Sequence, residues 1–300
     1  MLNFKCRNCG GEMSVDRRGD LLCSYCDSRF VFTDRDLKDY KEFRYKMLYY
    51  LSAVANKTAA DSDAERIWES AEGEQFETAD GTDIVINHIY MGRYDGVEIY
   101  TARNSVVFVF PSGCPGLADR FGNSLKCLSY PSADVRDLSQ YFPHITGQFT
   151  LKDGRMMLAV SKPENVFPLG AFGSLPPVHA AWITSRLENL CCVLEYSGVM
   201  HGGIDLESLF INAGTHELYL LGGWWKSRTE RGVSDLHMVR NTVKKLMGRY
   251  LSQAPGEYRR FLDSVTAKDA YDDFAQWDQV IQKGFGGRRF EKLDLTDIKI

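Results

Sequence analysis

Two cysteine pairs, Cys6-Arg7-Asn8-Cys9 and Cys23-Ser24-Tyr25-Cys26, stand thirteen residues apart near the start of the chain. A CxxC turn presents two thiolates on one knuckle, and two knuckles brought together supply four soft ligands for a tetrahedral metal. The segment between them reads as a hairpin that does this. Gly10 and Gly11 follow the first pair, Met13 and Val15 alternate with polar residues, Asp16 to Asp20 turn, and Leu21 and Leu22 return. Arg29 to Phe32 would add a third short strand. The other cysteines, Cys114, Cys127, Cys191 and Cys192, show no ligand spacing and read as small buried hydrophobes. The chain start has no apolar signal-peptide core, so paired cysteines point to metal binding in a reducing cytoplasm rather than to disulfides.

The Cys6, Cys9, Cys23 and Cys26 pattern resembles the zinc-ribbon family. That resemblance implies one structural Zn2+ closed by four thiolates, with no open position for catalysis. Iron is the alternative that the ligand type allows. Acids and bases balance over residues 1–36, six of each, and the whole chain carries a formal net charge of -4. Nucleic-acid binders usually carry a basic surplus, so the ribbon is expected to dock on protein. Arg17 and Arg18 at the hairpin tip keep a nucleic-acid reading as an alternative.

Downstream the hydrophobic period becomes helical. Thr33-Asp34 is a plausible cap for a helix over residues 35–56, striped by Tyr40, Phe43, Met47, Leu48, Leu51 and Val54. This aromatic stripe is expected to dock on the body or on a partner. A short helix from Ala64 to Glu72, stopped by Gly73, would complete a helical linker over residues 34–80. Asp83 to Tyr90, Val97 to Ala102 and Ser105 to Phe110 then alternate as three strands. A mostly helical stretch reaches Leu138. Phe149 to Leu151 and Met156 to Val160 form a hairpin turning at Asp153-Gly154. A long apolar helix runs from His179 to Ser197, and the rest is mainly helical. Strands first and helices after give an α+β class. No segment approaches the length of apolar chain needed to span a membrane.

The order three strands, helix, two strands, long helix and loop resembles the protein-kinase fold. The segment from Gly198 to Ile211, containing His201-Gly202-Gly203, resembles the kinase catalytic loop, and Ser234-Asp235-Leu236 resembles the start of the helix that follows it. The resemblance implies a sheet-rich lobe over 81–175 and a helical lobe over 176–300, with the ribbon at 1–33. It implies that His201 and Asp235 brace the loop, a structural role. The chain as a whole resembles bacterial or phage proteins that join a zinc ribbon to a degenerate kinase-like domain.

Phosphoryl transfer in such a fold needs a strand lysine with its helix glutamate, a base, and metal-holding acids. The resemblance sets Val109 near the lysine position, Gly203 at the base, and Ser208 and Gly222 at the metal-holding positions. The gaps do not depend on alignment. No lysine lies between Lys57 and Lys126, no glutamate between Glu98 and Glu164, and no carboxylate between Glu217 and Glu230. Gly92 and Gly96 keep only part of a glycine-rich loop and place Asp95 where phosphates would lie. The expectation is a pseudokinase with no functional ATP-magnesium site, acting as a scaffold or regulator that binds a protein partner. The alternative is a phosphotransferase rebuilt around Asp205, Glu207 or Asp95, although Asp205 and Glu207 read first as solvated acids at a turn. Trp224-Trp225 would either fill the vacated cleft or pack between the lobes.

Overall fold

The computed structural model describes residues 34–56, 67–69, 71–230, 234–288, 291–293, 295 and 298, and four short strands before residue 31. These strands are β1 (Phe4–Lys5), β2 (Glu12–Val15), β3 (Leu21–Cys23) and β4 (Arg29–Phe30), antiparallel and paired in that order. The β2–β3 hairpin falls where alternation places it, with Met13 opposite Cys23. Lys5 pairs with Glu12, so the ends of β1 and β3 lie at the same end of the sheet.

Helix α1 (Asp34–Asn56) matches the expected span. It does not stand apart as a linker. Phe43, Met47, Tyr50 and Leu51 belong to the main core, while Tyr45 and Tyr49 face outward. The expected helix ending at Gly73 is also corrected. Residues 67–69 are helical, but Gly73 lies inside strand β5 (Glu72–Glu77), opposite Asn87. A neighbouring strand offered a ladder, and Phe76 turns inward from an otherwise exposed segment, so pairing overrode the local stop signal.

β5 is one edge of a six-stranded antiparallel sheet. Its other strands are β6 (Asp83–Tyr94), β7 (Val97–Ala102), β8 (Ser105–Phe110), β9 (Ile145–Thr150) and β10 (Met156–Ser161), in the order β5-β6-β7-β8-β10-β9. The sheet curls until its edges meet. Thr78 bridges Leu151, and the Ala79 and Lys152 amides donate to Thr150 and Glu77 carbonyls. One face encloses a small core of Phe76, Ile86, Tyr100, Val107, Val109, Leu151 and Met157. The other face carries Val106, Phe108 and Phe110 into the main core. Between β8 and β9 run α2 (Pro115–Lys126) and α3 (Ala133–Arg136).

After β10 the chain crosses to β11 (Phe167–Pro168) and the helical lobe. There α4 (Pro177–Tyr196) is buried on most sides, as its nearly continuous apolar sequence requires. β12 (Val199–Met200), β13 (Leu209–Asn212), β14 (Glu217–Leu220) and β15 (Arg228–Thr229) follow, then α5 (Leu236–Met247), α6 (Gly256–Asp263) and α7 (Ala270–Phe285). Arg240 of α5 grips Asp273 of α7 through Nη2 at 2.6 and 2.8 Å. No described helix is long and apolar enough to cross a membrane. Cys191 is buried and Cys192 half-buried, but Cys114 and Cys127 are exposed, which corrects their reading as core residues. They flank the two ends of α2, where side chains turn outward.

Candidate functional site: a closed cleft between the lobes

The loop from β12 to β13 is held by its carboxylate brace. Asp235, just before α5, accepts the His201 amide at 2.7 Å and the Gly202 amide at 2.8 Å. Burial raises the Asp235 pKa, and these two amide bonds oppose that rise. His201 is fully buried. Its Nε2 donates to the Gly222 carbonyl at 3.1 Å, and its Nδ1 accepts the Gly203 amide at 3.2 Å. Burial first, then nearby Lys226, push its pKa down to about 3. His201 is therefore a neutral, fully bonded strut between two loops.

The glycines of the two loops lie close to one another. A Cβ on Gly203 would sit 2.9 Å from the Gly223 carbonyl oxygen, and one on Gly223 would sit 2.8 Å from the Gly203 oxygen. A Cβ on Gly222 would meet the Ser208 Cα at 3.1 Å. A side chain at Gly203 would force the Gly223 backbone to shift, and one at Gly222 would press on Ser208. Ser208 is buried, and its hydroxyl accepts from the Asp205 amide and donates to the Asp205 carbonyl, both at 2.9 Å. Asp205 is not the solvated acid the sequence suggested. It is buried, with Oδ1 accepting the Leu206 amide at 2.7 Å and Oδ2 on Lys245 Nζ at 3.1 Å. Glu207 is exposed as expected.

Val109 does not face this loop. It lies in the small core on the far side of the sheet. Alternation sends its neighbours Phe108 and Phe110 toward the loop instead, with ring centroids 5.7 and 5.8 Å from Trp225. A one-residue step along a strand flips the face. Phe108 also lies 3.7 Å from the Gly222 Cβ direction.

The β6–β7 connection is a tight turn. Tyr94 pairs with Val97, and Asp95 and Gly96 between them have φ of 51° and 81°. Such a turn commits its backbone to the hairpin and leaves no open loop to cradle phosphate. The Asp95 carboxylate forms an ion pair with Lys226, whose Nζ also donates to Tyr94 Oη at 3.1 Å and lies 4.4 Å from the Tyr94 ring. The sequence did not single out Lys226. Its signal was available, since it is the one lysine between Lys162 and Lys244. Trp224 and Trp225 are both buried. Trp225 packs against Tyr94, Phe108 and Phe110, and Trp224 against Phe121, Phe142 and His201, so the pair joins the lobes from within. Arg120 of α2 donates to the Trp225 carbonyl at 3.3 Å.

Helix α1 packs against both the sheet and the helical lobe. Phe43 stacks on Tyr90 of β6, with centroids 4.4 Å apart and planes 9° from parallel. On the helical lobe, Tyr40 donates to the Gly170 carbonyl at 3.2 Å and Arg44 to the Ala171 carbonyl at 2.6 Å. Tyr50 donates to Glu164 at 3.0 Å, in the segment that joins the lobes. Burial and then Glu207 push the Tyr40 pKa up to about 12.

Of the expected zinc ligands, Cys6, Cys9 and Cys26 lie outside the described residues, and Cys23 closes β3. The pairing puts the end of β1 at the same end of the sheet as Cys23. Among the described residues no cluster of three or more His, Cys, Asp or Glu is placed to hold a metal.

From β5 the order is four strands, the helices α2 and α3, two strands, the long helix α4 and the His201 loop, one strand and one short helix more than the sequence order expected. Among solved structures the chain is similar to vaccinia related kinase 3, at TM-score 0.46 and 13% identity over 73% of this chain and 79% of that one. It is similar to the Drosophila melanogaster PAN3 pseudokinase, at 0.42 and 9% over 63% and 62%. It is also similar to the BubR1 kinase domain, at 0.46 and 9% over 66% and 80%. No family model matches the chain, and no curated protein matches it in sequence.

Proposed function

We propose that this chain is a zinc-binding pseudokinase, a non-catalytic scaffold that works by holding a protein partner. One observation carries the reading. The Gly203 and Gly223 backbones are in close contact, and Gly203 and Gly222 carry no carboxylate at the places that the kinase-loop resemblance assigns to the base and a metal-holding acid. Phosphoryl transfer depends almost wholly on charge placed around the moving group, and a loop without those acids would supply little of it. The tip of the β6–β7 turn also carries a carboxylate already paired to Lys226. A rebuilt site finds little support, because Asp95 and Asp205 are each engaged by a lysine.

Four thiolates at Cys6, Cys9, Cys23 and Cys26 would hold one Zn2+. The ion would staple the ends of β1 and β3, supplying folding energy to a unit too small to supply its own. Metal analysis of purified protein, with Cys23→Ser as the control, tests this. The proposed lack of catalysis is tested by titrating the zinc-loaded protein with ATP, with and without magnesium, by calorimetry and thermal shift. No heat and no shift are expected. A magnesium-dependent rise in melting temperature together with metal-dependent phosphotransfer would overturn the reading.

A further inference from the structure

The seat that α1 occupies has a definite chemistry. Tyr90 offers a flat aromatic platform, and Phe43 lies parallel on it. Three polar contacts run the same way, from donors on the helix to acceptors on the body: Tyr40 to Gly170 O, Arg44 to Ala171 O and Tyr50 to Glu164. Glu207 adds negative potential beside Tyr40. Such a seat suits an amphipathic helix that brings aromatics, hydroxyl donors and a guanidinium. Helix-in-groove recognition reads anchors spaced one turn apart, and Phe43, Met47 and Tyr50 with Leu51 supply them, all buried.

We propose that the groove between the lobes is a helix-binding site, and that the α1 of a second copy of this chain can take the seat in trans. The helix shown to fit is the chain's own, and every copy carries it. Residues 57–66 tether α1 to its own body, which gives cis occupancy an effective concentration on the order of millimolar. The trans seat is taken when the local contacts are weakened or the chain is concentrated, as in domain swapping. The proposal deepens the scaffold reading by naming its partner, and it rests on the cleft being a protein site. Its test reads helix binding, whereas the test of that reading is ATP binding, so the two can fail separately.

The test uses full-length chains and a fluorescein-labelled peptide of residues 34–56, followed by anisotropy. The Tyr40→Phe/Arg44→Ala chain should bind the peptide about tenfold tighter than wild type, because its own helix competes less well. A Phe43→Asp peptide should not bind, and Tyr90→Ala in the weakened chain should abolish uptake. Two differently tagged wild-type chains, mixed and concentrated, should co-purify, and excess peptide should separate them. A weakened chain that keeps its cooperative melting transition yet takes up no peptide overturns the proposal. Equal binding of the Phe43→Asp peptide, or tagged chains that never co-purify, does the same. Should the double variant lose its transition, Arg44→Lys replaces it with the same readouts.

Discussion

Gly203 and Gly223 meet backbone to backbone, each with its carbonyl oxygen where a β-carbon on the other would sit, at 2.8 to 2.9 Å. His201 reinforces the contact from one side, joining the Gly203 amide to the Gly222 carbonyl through its two ring nitrogens. The His201 loop and the Gly222-Gly223 loop therefore form a single packed unit.

Placing a carboxylate at Gly203 should consequently damage the fold. Gly203→Asp must push the Gly223 backbone away, and overpacking of this kind typically costs about 1–3 kcal/mol. The variant should melt lower than wild type and show no ATP-dependent phosphotransfer. Differential scanning calorimetry beside a radiolabelled transfer assay checks both halves.

The brace beneath that unit can be tested on its own. Asp235 offers both carboxylate oxygens to the His201 and Gly202 amides inside the protein. Asp235→Asn turns an NH2 group toward one of those donors, and the loss should be about 1–3 kcal/mol. Urea unfolding should show a lower midpoint with an unchanged slope.

Much of this was legible in the sequence, for reasons that particular residues show. The spans of α1, β7 and β8 follow apolar periodicity, which burial enforces. Asp235 and the start of α5 were found through the resemblance of Ser234-Asp235-Leu236 to the kinase helix, and not from periodicity. The face of Val109 could not be found, because strand register is decided by neighbouring strands rather than by the strand itself. β5 was hidden for the same reason. Its exposed Glu-Gly-Glu-Gln run carries one inward residue, Phe76, and becomes a strand only beside β6. The close approach of Gly203 and Gly223 was not visible, because the contact between them is tertiary.

Glu188 gives a stability that depends on pH. It is fully buried on α4, and burial, then Asp273, push its pKa up to about 8 against an offset from Arg240. A carboxyl whose folded pKa lies above its unfolded value stabilises fully below the unfolded pKa. That contribution is lost as pH rises from 4.5 through about 8. Glu188→Gln removes the titration while keeping the shape. The melting temperature of the variant should fall less than that of wild type across this window, so that it gains on wild type toward the alkaline end. Thermal melts across a pH series would show parallel curves if the inference were wrong.

The role of α1 separates most cleanly by comparing its two faces. Phe43 is 2% exposed and stacks on Tyr90, whereas Tyr45 and Tyr49 on the same helix are 62% and 50% exposed. If α1 is part of the body, Phe43→Ala removes a core aromatic and should cost about 3–5 kcal/mol, lowering the one main transition without splitting it. Tyr45→Ala and Tyr49→Ala should stay within about 0.5 kcal/mol of wild type. A helix that merely linked two units would respond differently. Phe43→Ala would then leave the main transition in place and alter only a separate, weaker one, so chemical denaturation followed at two probes distinguishes the cases. The first outcome is expected, because Met47 and Leu51 continue the same buried face beyond Phe43 into the core shared by both lobes.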